Sequence, residues 1–156
     1  MVRKSLRPLA IAGVVCASLL IPPITIASPF VAVHYINNWT AIGYAQDVRK
    51  LPLPEDTEVL DSQWAAQRFA PAGNGMQYRG AILIRSSLSL EELAAHYEQV
   101  SEDTSAAIGV SPAARIDRRM LPFADRFDLA QPDLYVVIKY GTPSPGSFLE
   151  LDLRGH

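Results

Sequence analysis

The sequence predicts an α+β chain: an N-terminal transmembrane helix, then a small antiparallel sheet of about four or five strands covered by one amphipathic helix. Three observations predict it. Residues Pro8 to Ile36 contain no Lys, Arg, Asp or Glu, and Arg3, Lys4 and Arg7 stand before them. Most of the chain beyond residue 57 falls into short segments of period-two alternation separated by turn-forming residues. One segment repeats its apolar residues at helical spacing behind a complete helix-start signal.

The first element is the apolar stretch. A spanning helix needs about 20 apolar residues at roughly 1.5 Å of rise each, and Pro8 to Ile36 exceeds that even when tilted. Tyr35, Trp39 and Tyr44 then fall where interfacial aromatics sit. The basic head holds the N-terminus in the cytoplasm and sends the rest of the chain across. Pro22-Pro23 predicts a kink near residue 22, which spanning helices tolerate.

A cleaved signal peptide competes with this anchor. It would use the same basic head, the run Leu9 to Ile21 and a small-x-small site at Thr25-Ile26-Ala27, releasing a secreted domain that starts at Ser28. The apolar character continues through Phe30, Val31, Ala32, Val33 and Ile36, which favours retention. Cys16 is the only cysteine, so no intrachain disulfide exists. Gly13, Val14 and Val15 precede it, and a branched valine there does not suit a lipobox.

On this reading residues 1–36 are the cytoplasmic head and anchor, 37–56 a connector, and 57–156 an extracytoplasmic domain. Leu51-Pro52-Leu53-Pro54 makes the connector a stiff strap, because each residue before a proline is pushed toward extended geometry.

Within the domain, Thr57 to Trp64 reads as a strand. Ala72-Gly73-Asn74-Gly75 then offers a tight hairpin, since both central positions of a type I′ turn need positive φ. Met76, Tyr78, Gly80, Ile82 and Ile84 alternate with Gln77, Arg79, Ala81, Leu83 and Arg85, a strand with one apolar and one mixed face. Ser89 with Glu92 three residues on forms a capping box, and Leu88 can staple to Leu93. Leu90, Leu93, Ala94, Tyr97 and Val100 give the following helix its apolar stripe. A short strand is expected at Ala114 to Met120, another from Leu134 to Tyr140, and a final one from Leu149 to Leu153 after the Gly141–Gly146 turn.

The chemistry-bearing residues are few. His96 lies one helical turn after Glu92, which could orient it as the general base of an envelope hydrolase; a solvated surface pair explains the same spacing. Arg115, Arg118, Arg119 and Arg126 could hold an anionic ligand such as a phosphate or an envelope polymer. Asp117, Asp125 and Asp128 are interleaved with them, which points to local neutralisation. His34, His96 and His156 are too dispersed for a metal cluster. No nucleophile elbow, phosphate loop or dinucleotide fingerprint is present, so the sequence implies neither a cofactor nor an assigned catalytic residue. All sixteen Asp and Glu lie after residue 36, leaving that part net acidic and arguing against nucleic acid as a partner.

Asn74-Gly75-Met76-Gln77-Tyr78, Ala81-Ile82-Leu83-Ile84, Ser87 to Leu93 with Tyr97, and Leu151 to His156 together resemble small bacterial single-pass membrane-anchored proteins. The resemblance implies a bacterial cell membrane location and carries no activity or functional residue across. The function expected is a binding or interaction module at the cell envelope, held by residues 8–36 and engaging an envelope protein or polymer.

Overall fold

The computed structural model describes the backbone of residues 7–68, 75–104, 107–117, 122–142 and 149, with side chains for all of these except 7–24, 26, 27, 102–104 and 122. Along the chain the elements are α1 (Arg7–Arg49), β1 (Thr57–Gln67), β2 (Gln77–Ser86), α2 (Leu90–Thr104), β3 (Ile108–Pro112) and β4 (Leu134–Gly141). Two 3-10 turns, Ala113–Arg115 and Pro122–Asp125, lie between β3 and β4. Among the described residues the fold is α+β: two α-helices and a four-stranded antiparallel sheet in the order β1-β2-β4-β3.

The largest departure from expectation is α1. Residues 37–49, expected as part of a connector, are its last turns. Nothing in the sequence stops the helix there: after Pro29 the next proline is Pro52. Val33, Asn37, Ala41, Ala45 and Val48 are buried and recur every three or four residues, so they form one face. That face lies across β1, β2 and β4. Approach is close because β2 has only hydrogen at Gly80; a Cβ there would overlap the backbone of Tyr44 and Ala45. At the C-terminal end Lys50 N donates to Asp47 O and Leu51 N to Val48 O, and Pro52 follows. Among the described residues no helix is long and apolar enough to cross a membrane.

β2 is covered on both faces, where one apolar and one mixed face was expected. Ala81, Ile82, Leu83 and Ile84 are all fully buried, the run of apolar residues that a central strand requires. On one face Ile82, Ile84, Tyr135 and Val137 meet Val48 of α1 and Leu93 and Tyr97 of α2. On the other, Ala81, Leu83, Val136 and Ile138 meet Ala113, Phe123 and Leu129. Two helices therefore share one face, in place of the single covering helix expected, and the segment between β3 and β4 covers the other. Burying a side chain such as Phe123 stabilises the fold by about 1.5–3 kcal/mol.

Smaller differences have local causes. The β1–β2 ladder ends at Gln67↔Gln77, with a register shift between Val59 and Asp61. The connection is thus 68–76, longer than the two-residue turn expected at Asn74-Gly75; Ala72, Gly73 and Asn74 lie outside the described residues. The third strand is Ile108–Pro112, whose Ile108 and Val110 pack against the cluster beneath α2; of the strand expected at Ala114 to Met120, residues 114–117 are not in a strand and 118–120 lie outside the described residues. Pro112, which has no N–H to donate, stands at the end of this edge strand opposite Tyr135. Helix α2 starts at Leu90 as expected and runs on to Thr104, since Ser101–Thr104 contains no proline or glycine to stop it. Of the final strand expected at Leu149–Leu153, only Leu149 is among the described residues, and it is not in a strand.

Candidate functional site

Asn37 would be costly on the packed face of α1 unless its amide were hydrogen-bonded. It is: Nδ2 donates to Leu149 O at 3.0 Å, and Oδ1 accepts from Tyr78 Oη at 2.6 Å. The Tyr44 ring lies 6.0 Å from that of Tyr78, and Lys139 Nζ sits 5.0 Å from the Tyr44 ring centroid while bonding Asp47 Oδ2 at 2.7 Å. Gly141 leaves room for Tyr44, whose hydroxyl occupies the place of a Cβ. Polar contacts from β2 and β4 thus hold the apolar seam of α1 at both ends.

These contacts fix direction. Asn37 meets Tyr78, Tyr44 and Ala45 pass over Gly80, and Val48 packs with Ile82 and Ile84. Helix and strand therefore run the same way, and the Tyr78 end of the sheet lies toward the apolar N-terminal part of α1. The Ser86 end lies away from it.

A cleft of about 570 Å³ opens at that far end, between the start of β1 and the end of β2. Asp56 enters it at φ 54, a left-handed conformation that a short polar side chain tolerates. Thr57 Oγ1 and Ser86 Oγ are 2.8 Å apart, and Ser86 Oγ also accepts from Leu88 N at 3.2 Å. Arg85 is held between Glu58 at 2.8 Å and Asp133 at 3.1 Å. These ion pairs are exposed and add little stability, but they fix the guanidinium in the cleft wall. The lining offers carboxylates and hydroxyls to hydrogen-bond donors, with no base beside a nucleophile. Among the described residues no group of three or more His, Cys, Asp or Glu could hold a metal ion.

A second cleft, about 400 Å³, lies at the Tyr78 end beside Tyr140 and Gly141. Arg79 reaches over the Tyr140 ring at 5.5 Å, and burial draws its guanidinium below the usual arginine value.

Among the described residues, those singled out by sequence do not assemble into one site. His96 Nε2 donates to Pro52 O at 3.0 Å, which fixes that tautomer and fastens the proline strap to α2. Its intended partner Glu92 is engaged elsewhere: Oε2 accepts from both Ser89 N and Ser89 Oγ at 2.8 Å. Arg115 is exposed on its 3-10 turn, and Arg126 pairs with Asp61 of β1 at 2.5 Å, not with an interleaved aspartate. Arg118 and Arg119 lie outside the described residues.

No family model, curated protein or solved structure matches the chain. Function is therefore read from its own residues. Asn37, Tyr44, Tyr78 and Lys139 join α1 to the sheet; sequence reasoning passes over Asn37 and Lys139, and reads Tyr44 as an interfacial aromatic and Tyr78 as a strand residue beside a possible binding loop. Two signals pointed to them: a glycine inside the β2 pattern, and Asn37 at helical spacing from Val33 and Ala41.

Proposed function

We propose that the chain is a single-pass membrane-anchored domain at the bacterial cell envelope, with its N-terminus in the cytoplasm and its sheet domain outside, acting as a binding module for an envelope protein or polymer. The observation that supports this is the continuity of α1. One helix runs from the uncharged stretch at Pro8 into the core of the domain, and no Asp, Glu, Lys or Arg occurs between Arg7 and Asp47. A domain built directly on its anchor moves with it. The Ser86 end of the sheet is then the end held away from the bilayer, and the cleft beside Arg85 faces the envelope space. The test is fractionation of the whole chain carrying a C-terminal tag. Retention in membranes after alkaline carbonate, an intact mass that includes residues 1–27, and tag cleavage by protease added outside are the expected results; a chain found wholly in the soluble fraction would reject the anchor.

A second reading is a secreted domain released after Ala27. Among the described residues the buried positions of α1 begin at Val33, so cleavage after Ala27 would leave the described core whole. A mature mass lacking residues 1–27 would establish it in place of the anchor.

A further inference from the structure

We infer that the outer stripe of α1, Val31, Tyr35 and Trp39, is a seat on the lipid headgroup region that keeps the domain leaning on the bilayer; this rests on the anchored reading above. The three residues are spaced four apart and so share one side of the helix. They are 53%, 60% and 69% exposed, while Val33 and Asn37 on the packed side are 1% and 0%. The exposed side of a helix in contact with water normally carries charge. Here it carries none: the stripe belongs to the uncharged run that ends only at Asp47.

Polar groups of this segment also bond within the helix. Ser28 Oγ donates to Thr25 O at 3.1 Å and Thr40 Oγ1 to Ile36 O at 2.9 Å, so both hydroxyls are satisfied by their own helix. Asn38 Nδ2 lies 3.3 Å from His34 Nε2, a further bond within one turn. Such pairing lowers the cost of removing them from water. Tyrosine and tryptophan, apolar bodies with one polar tip, suit the boundary between acyl chains and headgroups. The interfacial layer is only about 5–8 Å deep on each side, so a helix standing upright could not keep Val31 and Trp39 in it together. The stripe therefore requires α1 to lean, outer side down, with the sheet above it.

Trp39 and Trp64 are the only tryptophans, which makes depth measurable. The full chain with Trp64→Phe is placed in phosphatidylcholine vesicles whose lipids carry bromine either near the headgroup or near the bilayer centre. The result expected is a roughly twofold loss of Trp39 emission from shallow bromine and a smaller loss from deep bromine. The full chain with Trp39→Phe reports Trp64 and checks that the fold survives; its emission should not respond to either lipid. Vesicles that float with the protein while Trp39 stays unquenched overturn the seat and leave the anchor standing. So does cross-linking that shows a second protein copy on the stripe. A chain that fails to float with vesicles overturns the anchor and the seat together.

Discussion

Tyr78 donates a 2.6 Å hydrogen bond to Asn37, joining β2 to a residue of α1 that stands 41 positions earlier in the chain. Both residues are buried, and the bond ties α1 to β2. Tyr78→Phe removes the donor and leaves Asn37 Oδ1 without it, at a cost of about 1–3 kcal/mol. Asn37→Leu alone should cost a similar amount, and the two together less than their sum. Urea unfolding of the four chains of this double-mutant cycle gives the coupling.

Gly80 sets how closely helix and sheet approach. Gly80→Ala forces a methyl group into the backbone of Tyr44 and Ala45, which cannot move without disturbing Asn37 and Lys139. Destabilisation of about 1–3 kcal/mol or more is expected. Gly109→Ala, where the nearest atom is the Tyr140 ring at 3.4 Å, is the control that should be better tolerated. Thermal unfolding of both variants makes the comparison.

Tyr97 is buried in the cluster between α2 and the sheet, and its hydroxyl has no hydrogen-bond partner there. Tyr97→Phe should therefore be neutral or stabilising, by up to about 2 kcal/mol. Burial pushes the phenol up to about 12 from an ordinary value of 10.0. The folded state thus keeps its proton where the unfolded state loses it. Stability is unaffected by this group below pH 10.0 and falls as pH rises from there through about 12. The Phe variant should lack that component of alkaline unfolding.

Legibility in the sequence followed the range of the interactions. The start of α2 was fully readable, because a capping box is made by residues three apart; Ser89 and Glu92 form it as expected. β2 and β4 were readable from alternation, although alternation could not show that both faces of β2 are covered, since that depends on Phe123 and Leu129 arriving from far along the chain. The end of α1 was misread because an apolar run was assigned one environment. From Val33 to Gln46 neither the packed side nor the open side carries a charge, so charge patterning alone cannot separate them. Spacing likewise brings Glu92 and His96 to one side of α2, while the hydrogen bonds they make, the carboxylate to the cap and the imidazole to Pro52, depend on geometry that spacing does not carry.

The cap itself gives a pH-dependent test. Hydrogen bonds from Ser89 hold the Glu92 carboxyl below its usual value. Its contribution is present above the unfolded carboxylate value and is lost as pH falls through the lowered folded one. Ser89→Ala should cost about 1 kcal/mol at neutral pH. The gap between the variant and the parent should narrow on acidification, as read by unfolding at several pH values.

The central claim is that the last turns of α1 are part of the domain's core and not a tether to it. Its most direct measurement is the thermal unfolding of two shortened chains, one starting at Ser28 and one at Thr57. The chain from Ser28 retains Val33, Asn37, Ala41, Ala45 and Val48 and should unfold in one cooperative transition with fixed aromatic circular dichroism. The chain from Thr57 exposes the sheet face around Gly80 and Tyr78 and should show no such transition; a cooperative transition at the same temperature in both chains would contradict the account.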